Sequence, residues 1–233
     1  MIEATTPGRA LAVYAHPDDP EVACGGTLAR WAALGCEVHL VIACRGEKGS
    51  PDPSTDPDQL AAGRAEEVAR AAEVLQLASV EHLGYPDGEI DNDAALRTRL
   101  IEVVRRRQPD ALVAPDPTAV FFGDSYVNHR DHRQLGWAVL DTIVPAASPL
   151  YVPEAGAAHQ VGLVLLSGTL DADAWVDIDS VLTTKVAAVA CHESRLGGDP
   201  DLIGELLEHR AAEEGRRAGI DHAEAFRRLR FGG

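Results

Sequence analysis

Short apolar runs recur along the chain, each too brief for a helix and each separated from the next by a longer segment of helical period. That alternation constrains the fold more than any other feature. Residues 10–15 (ALAVYA), 37–44 (EVHLVIAC), 80–85 and 111–114 (ALVA) are predicted strands, and 162–166 (GLVLL) and 175–178 (WVDI) add two more. The central runs are nearly continuous in apolar and β-branched residues, as strands covered on both faces must be. Helices are predicted over 25–34, closed by Gly35, and over 59–77, where Leu60, Val68, Ala71 and Leu75 mark one face. Further helices follow at 94–107, 131–144 and 180–190, and the last is drawn from 200 to 231. Strict β-α alternation requires a Rossmann-like, mostly parallel sheet flanked by helices, and 233 residues fit a single domain over 1–233. Proline-rich stretches at 49–57 and 144–159 are predicted loops that wall a pocket.

Charge narrows the partners. With 37 acidic against 21 basic side chains the net charge is −16, a field that opposes nucleic-acid phosphates and anionic membranes. No apolar stretch nears the roughly 20 residues of a membrane helix, and no signal-peptide pattern opens the chain. The four cysteines form no C-x-x-C pair. A cytoplasmic protein with reduced thiols is expected, and homo-oligomerisation stays open.

Directly after the first predicted strand stands His16-Pro17-Asp18-Asp19-Pro20-Glu21. Three acids crowded with a histidine are poor material for a mere connection, because like charges repel and the two prolines remove backbone donors. In open α/β sheets, ligands bind just beyond the carboxyl ends of the strands. Pro17 biases His16 toward an extended conformation, continuing the strand into that crevice. His16 and Asp19 are spaced to turn back on one centre, and imidazole with carboxylate suits zinc. Asp18 beside them is a natural general base for an attacking water. The same acids would equally serve the start of the following helix, whose dipole favours them. The Cys24-Gly25-Gly26 turn lacks the G-x-G-x-x-G of a dinucleotide loop.

A second cluster, Asn128-His129-Arg130-Asp131-His132, follows the fourth strand. Its residue types suit one metal ligand, one acid or electrophile and one orienting carboxylate, or else the polar start of a helix. His39, His82, His159, His209 and His222 have no such company, and the spacing of His192 says little.

Together these residues resemble the PIG-L/LmbE-like family of zinc-dependent N-acetylglucosaminyl deacetylases, whose signatures are A-H-P-D-D-x-E and H-x-D-H. The likeness continues through Cys44-Arg45-Gly46-Glu47-Lys48-Gly49, Arg64 with Glu67, Leu83-Gly84-Tyr85-Pro86-Asp87-Gly88, and Lys185 with His192-Glu193-Ser194-Arg195. The resemblance implies that His16, Asp19 and His132 bind Zn2+, with Fe2+, Co2+ or Mn2+ compatible in its place. It implies that Asp18 is the general base, that His129 stabilises the oxyanion or protonates the leaving amine, and that Asp131 orients His129 and favours its cation. Arg64 and Asp87 would contact sugar hydroxyls, with Tyr126 a further substrate-binding candidate. The substrate would be a small acylated amino sugar or glycoconjugate, and the products acetate and a free amine. Arg130 stands where the family usually has proline, and a cation there opposes protonation of His129 unless it turns away. Two other activities share these motifs or this fold. One is an amidase cleaving a larger acyl group from a glucosamine-containing conjugate. The other is a non-catalytic nucleotide-binding α/β protein.

Overall fold

A computed structural model describes residues 1–196 and 200–231. The chain begins β1 (Arg9–Tyr14), α1 (Asp19–Ala33), β2 (Glu37–Cys44), α2 (Pro57–Val74), β3 (Ser79–Tyr85), α3 (Ala94–Arg107) and β4 (Ala111–Pro115). A short hairpin, β5 (Phe121–Phe122) and β6 (Tyr126–Val127), precedes α4 (Arg130–Ala147). Then come β7 (Leu163–Ser167), β8 (Ala174–Asp177), α5 (Leu182–Ala190), α6 (Glu193–Leu196), α7 (Pro200–Ala218) and β9 (Ala223–Arg230). Seven strands form one sheet in the order β3-β2-β1-β4-β7-β9-β8. The first five are parallel, and β9 runs antiparallel to both its neighbours.

The strand order locates the crevice. From β1 the chain winds outward to β2 and β3, then returns to place β4 on the other side of β1. Loops leaving β1 and β4 therefore diverge, and a cleft opens between them at the carboxyl edge. Alternate side chains of the strands point to opposite faces. Ala10, Ala12 and Tyr14 of β1 join a core with Leu28 and Trp31 of α1 and Val68 and Ala71 of α2. Leu11 and Val13 face the other way, onto Leu100 and Val104 of α3 and Leu135 and Val139 of α4. Among the described residues no helix is long and apolar enough to cross a membrane.

Three sequence expectations change. The segment drawn as one helix over 200–231 is α7 followed by β9. Its Ala, Glu and Arg favour a helix locally, but Gly219 at φ +77 turns the chain back and sheet pairing overrides propensity. The arginines of β9 are tolerated because acids meet them: Arg228 and Arg230 both reach Glu3, and Arg227 reaches Asp171. Second, α1 starts at Asp19 rather than residue 25, with a break at Cys24 (φ −147). Third, the stretch 144–159 does not wall the cleft. α4 starts at the cleft and runs through Ala147, carrying the chain roughly 27 Å away at 1.5 Å per residue. There the buried Arg105 gathers the segment by donating to the carbonyls of Pro145, Ala146, Ser148, Tyr151, Val152 and Gly156.

Candidate active site

The turn after β1 is strained in a way that aims its acids. Asp18 takes φ 93, ψ −29, a left-handed conformation that costs a non-glycine residue roughly 1–3 kcal/mol and persists only where the surroundings enforce it. Asp19 folds back so that its Oδ2 accepts the His16 backbone N–H at 2.8 Å. The first turn of α4 brings the second cluster to the same point, with His129 at the N-cap and His132 one turn along.

Three acceptor atoms converge there. His16 Nδ1 lies 3.2 Å from Asp19 Oδ2 and 3.1 Å from His132 Nε2, and His132 Nε2 lies 3.1 Å from Asp19 Oδ2. Four-coordinate zinc with bonds of about 2.0–2.1 Å sets its ligands roughly 3.3 Å apart, so the triangle has the right size. The opposite ring nitrogens differ in what they face. His132 Nδ1 sits 3.0 Å from the Asn128 side-chain oxygen. His16 Nε2 faces Asp87 Oδ1 at 3.2 Å and Asp131 Oδ2 at 3.4 Å. His132 Nδ1 faces an acceptor and so carries its proton, whereas His16 Nε2 lies among carboxylates without an aligned hydrogen bond, and the triangle sets two ring nitrogens and a carboxylate against one another. Such a cluster demands a cation. Burial disfavours a charged His16, yet Asp131, Asp19 and Asp87 outweigh it and hold the ring's pKa far above the usual range. Asp19, despite burial, is held well below the usual carboxylate range by His132 and His16.

Two further groups of candidate ligands lie within 4.8 Å, His16 with His129 and His132, and His16 with Cys44 and Asp131. The second is already engaged. The Asp131 carboxylate accepts the backbone N–H of Gly88 at 2.7 Å and of Ile90 at 3.3 Å, and the Cys44 thiol at 3.3 Å. Burial also pushes the Cys44 thiol up to about 12.

The other candidates surround this centre. Asp18 has a side chain only 19% exposed, with Arg195 Nε 3.4 Å from its Oδ2. Burial, then the neighbouring Asp19 charge, raise its carboxyl to about 7. Asp87 lines the same pocket, and His16 holds its carboxyl below the ordinary value. Arg64 is buried beneath the 46–49 loop, donating to the carbonyls of Gly46 and Gly49 at 2.8 and 3.3 Å. Gly46 is at φ +72, and a Cβ there would lie 2.9 Å from the Arg64 guanidinium, so the loop's path depends on that glycine. Tyr126 stands exposed on the hairpin at the pocket rim.

One expected contact takes another form. Asp131 reaches His16 rather than the His129 ring. What His129 receives is the Asp131 backbone N–H, at 3.2 Å on Nδ1, which places the ring proton on Nε2. Burial, then His16 nearby, lower the His129 pKa despite the Asp131 and Asp87 charges. Arg130 turns away, donating to the Ile90 carbonyl and the Asp91 carboxylate.

The sequence motifs include the support beneath the site without assigning it a role. The isolated His192 is buried, its Nε2 3.2 Å from the Glu21 carboxylate. Glu67 accepts the Ser194 N–H and hydroxyl at 2.7 and 2.6 Å, so α6 is fastened at two points beside Asp18. Glu21 ends the acidic motif, and its complete burial is what the composition of that motif conceals.

Comparison with known proteins places the chain in a family. The family model described as "PIG-L: GlcNAc-PI de-N-acetylase" matches residues 11–143, more than half of the chain. The chain belongs to the PIG-L family. The diacetylchitobiose deacetylase of Thermococcus kodakarensis is 28% identical over 224 residues, covering 94% of this chain and 82% of that one. A 1D-myo-inositol 2-acetamido-2-deoxy-alpha-D-glucopyranoside deacetylase of Kineococcus radiotolerans is 33% identical over 172 residues, 60% of this chain and 46% of that enzyme. Among solved structures, N,N'-diacetylchitobiose deacetylase of Pyrococcus horikoshii superposes with a TM-score of 0.85 at 27% identity, covering 96% of this chain and 84% of that one. The PIG-L match spans both site clusters, from β1 into α4.

Proposed function

We propose that this PIG-L protein is a zinc-dependent hydrolase that removes the N-acetyl group from an N-acetylglucosamine-type amino sugar or glycoconjugate. One observation carries the reading: the acceptor triangle of His16, Asp19 and His132, with the carboxylate of Asp18 beside it. His16, Asp19 and His132 would hold the metal, and the same donors also suit Fe2+, Co2+ or Mn2+. Zinc supplies two things an unactivated amide needs, a water whose pKa is lowered to about 7 and a polarised carbonyl.

The chain's own residues do the rest. Asp18, its carboxylate beside the triangle, accepts the proton of the attacking water and returns it to the amine as the C–N bond breaks. His129 carries its ring proton on Nε2 and donates it as a hydrogen bond to the developing oxyanion, acting as a neutral electrophile rather than as an acid. Asn128 orients His132 and fixes its tautomer, and the Asp131 carboxylate stands 3.4 Å from His16 as a countercharge. Arg64, Asp87 and Tyr126 face the space a sugar would fill.

Acetate release from N-acetylglucosamine derivatives tests this, with native, chelated and zinc-restored protein side by side. Release that chelation abolishes and zinc restores is the expected result. No release from a protein that retains zinc overturns the reading.

A further inference from the structure

We infer, on the reading above that Asp18 is the general base, that Arg195 is its positioning residue. The guanidinium holds one oxygen of the Asp18 carboxylate and leaves the other to the attacking water. Asp18 needs such a hold. Its backbone is left-handed, and its side chain makes no capping hydrogen bond to α1. A short carboxylate side chain left alone swings between staggered rotamers, and backbone strain of this kind persists only where the surroundings over-determine it. Among the described residues the Asp18 carboxylate pairs with one cation, Arg195, whose Nε lies 3.4 Å from Oδ2. That contact engages Oδ2 and leaves Oδ1 without a partner among the described residues.

The arginine is delivered by a built support. The four residues of α6 are too few to hold a helix by themselves, and two clamps fix them. His192 is buried with its Nε2 3.2 Å from the carboxylate of the fully buried Glu21. Glu67 of α2 accepts the Ser194 N–H and hydroxyl. The Arg195 N–H then donates to the His192 carbonyl at 3.1 Å. Glu21 belongs to the same turn as Asp18, so the first clamp ties the base and the arginine to one frame. Burying such a polar pair seldom gains stability over apolar packing, which fits a pair kept for where it puts its neighbours. The Arg195 side chain is 62% exposed, and exposed ion pairs add little to stability. Its contribution is geometric: a reacting group misplaced by about 1 Å costs up to about 10²-fold. Arg195 also lines the cavity that holds Asp87 and His129, so the kinetics must separate positioning from substrate contact.

Acetate release from N-acetylglucosamine derivatives by the zinc-loaded protein does so, with Arg195→Ala, Arg195→Lys, Asp18→Asn and the Asp18→Asn, Arg195→Ala double variant. Arg195→Ala should lower kcat about 10- to 100-fold, with KM, zinc content and the urea-unfolding midpoint little changed. Arg195→Lys should recover part of that loss, and millimolar guanidinium should recover part of it in Arg195→Ala. Without the Asp18 carboxylate the arginine has nothing to position, so in the Asp18→Asn background its removal should cost less than about twofold. A raised KM at unchanged kcat makes Arg195 a substrate contact and overturns the positioning role. An equal cost in both backgrounds, or a loss of zinc, overturns it too. Full activity in Arg195→Ala overturns it and leaves the deacetylase reading standing, whereas no acetate from the zinc-loaded parent overturns both.

Discussion

Two buried charged clusters lie against α1, and they are built on opposite terms. Around Glu224 every polar group has a partner. Its carboxylate accepts the N–H groups of Gly26 and Thr27, the Thr27 hydroxyl and the Lys185 ammonium, and Lys185 also donates to the Val22 carbonyl. The break in α1 at Cys24 frees those amides, and Glu224 caps them. Around His16 the account does not close. His16 Nε2 has no aligned hydrogen-bond partner, nor have both Glu21 oxygens, both His192 nitrogens or the Arg64 Nε. Acceptors there face acceptors, and a strained Asp18 holds a raised carboxyl. Satisfaction marks a cluster that serves the fold, whereas unmet demand marks one that awaits a ligand.

The strongest way to break the comparison is to remove a member of the triangle. His132→Ala should lose zinc on dialysis and with it all measurable hydrolysis, because two ligands seldom hold zinc tightly. Metal content by emission spectroscopy checks this, and a variant that keeps its zinc places the third ligand elsewhere. Asp18→Asn should keep zinc yet lose roughly 10²- to 10⁴-fold in kcat, the ordinary worth of a positioned general base. Near-full activity in that variant would move the base to another group.

Much of this was legible in the sequence, and the exceptions share a cause. The parallel strands announced themselves because burial on both faces leaves apolar runs. The HPDDPE and NHRDH clusters announced themselves because their composition makes no sense in a loop. β9 did not, since AEAFRRLR reads as helix until Glu3, Asp171 and Asp173 arrive from other parts of the chain to meet its arginines. The contact between Asp131 and His16 was hidden for a related reason. The resemblance implies a role toward His129, while the fold also brings His16 within 3.4 Å from over a hundred residues away. Nor could spacing pair His192 with Glu21, 171 positions apart.

The satisfied cluster should fail differently from the unsatisfied one. Lys185→Met leaves the Glu224 carboxylate buried without its cation. That should lower stability by about 3–5 kcal/mol, the usual result of removing one partner of a buried pair. Urea unfolding measures it. A loss below about 1 kcal/mol would show that the capping amides alone satisfy Glu224.

The smallest effect is the one that separates the clusters most cleanly, because its sign is reversed. In the metal-free protein the Asp18 carboxyl sits near 7, against about 3.9 in an unfolded chain. A carboxyl raised on folding binds its proton more tightly in the native state, so its contribution is most favourable below about pH 4, declines as pH rises toward about 7, and is flat above that. Asparagine mimics the neutral form at every pH and tolerates the left-handed conformation that residue 18 requires. Metal-free Asp18→Asn protein should therefore be more stable than its parent at pH 8, by about 1–3 kcal/mol, with the gap narrowing as pH falls from 7 to 4. Thermal or urea unfolding across that range reads it directly. A substitution that nearly abolishes turnover while stabilising the chain is what a residue held in place for chemistry should show. A loss of stability at pH 8 would place Asp18 instead with Glu224, among the groups that hold the fold together.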